Sequence, residues 1–189
     1  MAQRIRKGGE MKEEDLRMEI QRSMTKAGLE WYHPADTGFT EVARPDILSV
    51  SGCVIEVKRI DEKVRIEPWF DPKMIPNRQR RQLDYYSFGR GFPTYLGIGT
   101  TYGKPRRMWV IPWRLWSLLE DELIVANEVK PEDLRIPISE IERFYQYELD
   151  WQGKGVWGFN VDHPILLLAK IRTNHEWDVE SIRFPEEKK

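Results

Sequence analysis

Between Cys53 and Lys58 the chain reads Cys-Val-Ile-Glu-Val-Lys, a strand-forming run that carries two charges two residues apart. Successive side chains of an extended strand point to opposite faces, so Glu56 and Lys58 share one face while Ile55 and Val57 share the other. Ten residues before Glu56 stands Asp46, at the head of a second short run, Asp46-Ile-Leu-Ser-Val. With Ser51-Gly52 as a two-residue turn, the runs form a hairpin that brings the start of the first strand beside the end of the second. Asp46, Glu56 and Lys58 are therefore expected to converge.

The remaining sequence limits what surrounds that hairpin. A chain of 189 residues can bury a real core as one domain with an extension. One cysteine, Cys53, excludes an internal disulfide framework and a four-cysteine zinc site, and fits a strand in the core. The three histidines, His33, His163 and His175, are scattered. The first fifteen residues lack the apolar stretch of a signal peptide, and Ile165–Ala169 is far too short to span a bilayer, so a soluble, cytoplasmic protein is expected.

Lys and Arg total 30 against 31 Asp and Glu, so affinity for a polyanion must come from where the charges sit. Between Lys73 and Arg107 eight basic residues face one acid, Asp84; between Glu120 and Asp150 ten acids face three bases. The basic segment is either a phosphate-binding face or a set of solvated helix surfaces.

Leu16, Ile20, Met24 and Ala27 recur at helical spacing and Gly28 supplies a stop, which predicts a helix over residues 11–27. Further helices are expected over 77–88, 113–122 and 137–147, and strands over 94–99 and 108–111, with a less certain strand at 63–67. No linker divides the chain. Residues 1–120 form the expected core, and residues 121–189 an extension packed on it.

Two carboxylates and a lysine on one sheet face suit phosphodiester hydrolysis: oxygen ligands hold a divalent cation that activates water, and the lysine neutralises charge on the phosphate. A surface ion pair on an exposed sheet face is the alternative. Pro45-Asp46, then Glu56-Val57-Lys58, set after a helix and before a glutamine-bearing helix, resembles the PD-(D/E)xK nuclease superfamily over residues 10–115. The stretches Lys26-Ala-Gly28, Gln79–Gly89 and Tyr95-Leu-Gly-Ile-Gly99 are most similar to archaeal-type Holliday junction resolvases, with VRR-type nuclease domains second.

That resemblance implies an α/β, restriction-endonuclease-like core, a central mixed β-sheet flanked by helices. It also implies Mg²⁺ as cofactor, with Mn²⁺ able to substitute, held by Asp46, Glu56, Val57 and a glutamate of the first helix. At 100° per residue Glu13 lies with Ile20 and Met24 on the apolar stripe, whereas Glu14 and Glu19 point toward solvent, which selects Glu13. Strict resolvase spacing lands instead on Arg17. Gln79 matches the families' glutamine, though a core-edge amide accounts for it equally, and Thr37 and Thr40 occupy the loop where resolvases place a phosphate-touching hydroxyl. Arg78, Arg80, Arg81, Lys104, Arg106 and Arg107 complete the expected DNA contacts.

The expected function is a Mg²⁺-dependent, structure-selective endonuclease that resolves four-way junctions as a homodimer, with Trp109, Trp113 and Trp116 in the dimer surface or, equally, in the core. A restriction- or repair-type nuclease and a non-catalytic DNA-binding module are the alternatives.

Overall fold

A computed structural model describes residues 12–32, 45–49, 52–60, 68–100 and 106–167. In chain order the elements are α1 (Glu13–Lys26), β1 (Trp31–Tyr32), β2 (Ile47–Ser49), β3 (Val54–Ile60), β4 (Trp69–Phe70), α2 (Asn77–Asp84), β5 (Thr94–Thr100), β6 (Met108–Pro112), α3 (Trp113–Ala126), β7 (Ile136–Pro137), α4 (Ile138–Glu142), β8 (Asp150–Trp151) and β9 (Trp157–Gly158). The suggested strand at 63–67 lies outside the described residues.

Among the described residues a five-stranded sheet runs in the order β1-β2-β3-β5-β6. β3 pairs antiparallel with β2 and parallel with β5, so the sheet is mixed and β3 is its middle strand. Helices cover both faces, as an α/β fold requires. The apolar stripe of α1, Leu16, Ile20 and Met24, is buried against Ile55, Val57, Met108 and Val110 on one face. Gly97 and Gly99 of β5 allow that approach: a Cβ at either would stand 2.7 Å from Ile20 and 2.6 Å from Leu16. On the other face Leu83 of α2 and Trp113, Trp116, Leu119 and Leu123 of α3 pack with Val54, Ile60, Leu96, Ile98, Trp109 and Ile111. Each such large side chain contributes roughly 1.5–3 kcal/mol of burial.

Several elements differ in extent from the expected ones. The helix over 77–88 ends at Asp84 and passes into one π-helical turn, Tyr85–Gly89. The helix over 113–122 continues to Ala126, whereas that over 137–147 is only Ile138–Glu142 followed by a 3-10 turn at Tyr145–Tyr147. Trp109, Trp113 and Trp116, proposed for a dimer surface, are all buried within the subunit.

Described residues between 121 and 167 pack against the earlier elements. β7 pairs with β4, and the Leu149 N–H donates to the Met108 carbonyl. The Trp157 indole is buried against α1, and His163 bonds the Val110 carbonyl through Nε2 at 2.8 Å. His163 also accepts the Ile165 N–H at Nδ1, and burial pushes its pKa down to about 4, so it is a neutral packing residue. No helix among the described residues is long and apolar enough to cross a membrane.

Candidate active site

The antiparallel pair β2–β3 carries the site. β2 and β3 pair Ile47 with Ile55 and Leu48 with Val54, and the Ser49 N–H donates to the Cys53 carbonyl at 2.9 Å. Ser49 therefore stands opposite Cys53, where a two-residue Ser51-Gly52 turn expected Val50 in that place. Gly52 sits at φ +82°, a left-handed conformation that suits glycine, and donates to the Ser49 carbonyl.

This shift of register by one matters because a one-residue slip moves every side chain to the other face. Continuing the observed pairing one step sets Asp46 across from Glu56, a non-hydrogen-bonded rung in which side chains stand closest. The next rung would require Pro45, which has no N–H, and the ladder stops. Asp46 instead turns its own side chain into the vacancy: Oδ2 accepts the Val57 N–H at 2.7 Å.

Glu56 and Lys58 project from β3 to the face opposite α1 and are 2% and 4% exposed. Lys58 Nζ donates to Glu56 Oε1 at 2.7 Å and to Glu13 Oε1, from the first turn of α1, at 3.2 Å. The structure thus brings Glu13, Asp46, Glu56 and Lys58 into one cluster. A pocket of about 330 Å³ opens beside it, lined by Glu13, Glu14, Arg17 and Asp46. Glu13 and Asp46 each belong to both the cluster and the pocket.

Electrostatics make the cluster unusual. Burial, and next the charge of Asp46, push the Glu56 carboxyl up to about 7, although Lys58 pulls the other way. For Lys58, burial acts to lower the pKa but is outweighed by the charge and hydrogen bond of Glu56, with Glu13 and Asp46 adding, so the ammonium is held above its ordinary range. Three carboxylates crowd one lysine, and such all-oxygen, like-charged sets suit a hard divalent cation. Among the described residues no three acids, histidines or cysteines stand close enough to cage a metal by themselves. The oxygen donors are of the right chemical kind for such a cation, but in this arrangement they are drawn onto the Lys58 ammonium and not onto a common centre.

The other expected site residues divide. Gln79 lies on α2 with its Oε1 buried and without a hydrogen-bond partner among the described residues. Arg78 and Arg81 are exposed on the same helix. Arg80 is spent on structure: its guanidinium pairs with both oxygens of Glu120 at 2.5 and 2.9 Å and donates to the Ile75 and Pro72 carbonyls. Arg106 forks onto Glu19 at 3.1 and 2.6 Å, and Arg107 onto Glu148 at 2.7 and 2.6 Å with Glu142 as a further partner. These three arginines crosslink the subunit through carboxylates. Thr37, Thr40, Lys104 and His33 lie outside the described residues.

Glu19 also departs from expectation. The helical wheel sends it to solvent, yet it is buried, because Arg106 and the Trp157 indole N–H, at 3.0 Å, meet it there. Arg17 was reached in the sequence only as a mismatch of spacing; one turn after Glu13 on α1, it lines the pocket. Its signal was the i, i+4 relation to Glu13, which puts both on one helix face.

No family model matches this chain, and no curated protein does. Among solved structures, Hjc of Archaeoglobus fulgidus, a Holliday junction resolvase from an archaeal hyperthermophile, is similar at 20% sequence identity over 52% of this chain and 74% of that one, with a TM-score of 0.37.

Proposed function

We propose that this chain is a divalent-cation-dependent endodeoxyribonuclease that cuts four-way DNA junctions, working as a homodimer so that two sites cut opposed strands. The observation that carries the reading is the Glu56–Lys58 pair, 2.7 Å apart and almost wholly buried in the middle strand, with Asp46 across the hairpin. Burying two charges costs several kcal/mol each, and apolar residues would serve the core at least as well. A perturbed carboxyl beside a pocket is the arrangement expected where chemistry is done.

In this reading Asp46, Glu56 and Glu13 would hold Mg²⁺ or Mn²⁺, which when bound polarises a phosphodiester and lowers the pKa of water. Lys58 stays protonated at neutral pH and gives a fixed positive charge for the oxygen on which charge develops. Asp46 has a second task, since its bond to the Val57 N–H fixes the strand end that presents Glu56 and Lys58. Gln79, on the helix that packs against the same sheet face, is the proposed orienting amide, and Arg78 and Arg81 are the proposed outer phosphate contacts. The dimer surface lies elsewhere than Trp109, Trp113 and Trp116, which the core has taken.

The test is cleavage by the purified chain with Mg²⁺ of a four-way junction, a flap, a linear duplex and a single strand. Selective cutting of the junction supports the proposal. Equal cutting of all four leaves a general nuclease, and none with any divalent cation removes the reading.

A further inference from the structure

We infer that Arg17 is the phosphate-binding residue of this site, its guanidinium fork taking the non-bridging oxygens of a nucleic-acid phosphodiester; the inference rests on the nuclease reading above. The site has a difficulty that this residue answers. Among the described residues its pocket is lined by Glu13, Glu14 and Asp46, which repel a phosphate, and by one cation, Arg17. Lys58 is largely committed, because its ammonium is buried and donates to both Glu56 and Glu13.

Arg17 is placed and unspent. It follows Glu13 by one helical turn, so both project from the same side of α1 into the pocket. Its Nε is buried without a hydrogen-bond partner among the described residues, an orphan donor that an anion's oxygen would satisfy. Its ion-pair contact with Glu14 is 3.6 Å long, beyond hydrogen-bonding range, and that partner is 68% exposed, so the link is weak and readily exchanged. Arg80, Arg106 and Arg107, by contrast, are held by bidentate carboxylates. A planar fork matches a phosphate bidentately, which an ammonium does not.

The experiment compares wild type, Arg17→Gln, Arg17→Lys and Glu14→Gln by three readouts: DNA affinity with Ca²⁺ across a salt series, kcat and KM with Mg²⁺, and thermal midpoint. Arg17→Gln is expected to weaken binding about tenfold or more and to flatten the slope of log affinity against log salt by about one unit, the loss of one phosphate contact. KM should rise, and the thermal midpoint should stay near wild type. Arg17→Lys should recover the salt slope but only part of the affinity, and Glu14→Gln, which removes a repelling charge and the weak partner of Arg17, should bind at least as tightly as wild type. If wild type binds and cleaves while Arg17→Gln and Arg17→Lys bind with its affinity and slope, the inference is overturned and the nuclease reading stands. If wild type neither binds nor cleaves DNA, both fall.

Discussion

Asp46 Oδ2 holds the Val57 N–H at 2.7 Å, so one carboxylate both ends the β2–β3 ladder and stands across from Glu56. These two roles can be separated by substitution. Asp46→Asn keeps an acceptor for the N–H, whereas Asp46→Ala leaves the N–H unpaired, a cost of about 1–3 kcal/mol. Both should lose cleavage, and urea unfolding should show the larger stability loss only in the alanine variant. Equal stability of the two would remove the structural role.

Glu56 makes stability depend on pH. Its folded pKa, pushed up to about 7 from an ordinary 4.5, means the native chain binds this proton more tightly than the unfolded chain. The stabilisation is therefore complete below pH 4.5 and is lost as pH rises through 7. Glu56→Gln removes this dependence. Its stability relative to wild type should climb between about pH 4.5 and 7, by up to about 1.4 kcal/mol per pH unit, and level off above that in denaturant titrations. Parallel curves for the two proteins would show that Glu56 keeps its ordinary pKa.

The three glutamates of α1 should give three different phenotypes. Glu19→Gln breaks a buried fork with Arg106 and should cost about 3–5 kcal/mol. Glu14→Gln should change stability by less than about 0.5 kcal/mol and lower cleavage far less than Glu13→Gln does. Glu13→Gln should lower cleavage with little change in stability, and should also diminish the rise in thermal midpoint that Mg²⁺ gives wild type. The reverse ranking of Glu13 and Glu14 in cleavage would remove Glu13 from the site.

These contrasts mark where the sequence was readable. Alternation alone put Glu56 and Lys58 on one face, because strand geometry is local. The register of Asp46 was set one residue off, since the Ser51-Gly52 pair is compatible with either loop length and only the flanking pairing decides. Glu19 was misplaced because its partners, Arg106 and Trp157, lie 87 and 138 residues away in sequence. The partners of Arg80 and Arg107 were hidden for the same reason: Glu120 and Glu148 lie 40 and 41 residues on in sequence. Trp109, Trp113 and Trp116 show that helical or strand spacing identifies a buried face without saying whether the burial is within one chain or between two. β4 and β7, two residues each, are too short to carry any period.

Salt dependence should sort the basic segment. Arg78→Glu with Arg81→Glu should flatten the salt slope of DNA binding by about one unit per lost contact, without unfolding the protein. Arg80→Ala should instead act mainly on stability by orphaning Glu120, with a salt slope near wild type. A slope unchanged in the Arg78/Arg81 variant would return both residues to ordinary solvated positions.

On the proposed reading, two cuts in opposed strands need two sites, of which each chain would supply one. Light scattering at micromolar concentration should therefore give a dimer, and a junction with differently labelled opposed strands should lose both labels' integrity together. A monomer that nicks one strand would exclude resolution while leaving hydrolysis in place.

The central claim, that the Asp46, Glu56 and Lys58 cluster is the cutting centre, is tested most directly by single-turnover cleavage with Mg²⁺ by wild type, Asp46→Asn, Glu56→Gln and Lys58→Ala, with DNA affinity and thermal midpoint measured alongside. Each substitution is predicted to slow cleavage by at least about a hundredfold while the variant still binds DNA and stays folded. Wild-type rates in folded Glu56→Gln and Lys58→Ala would contradict the account and make the buried pair a structural one.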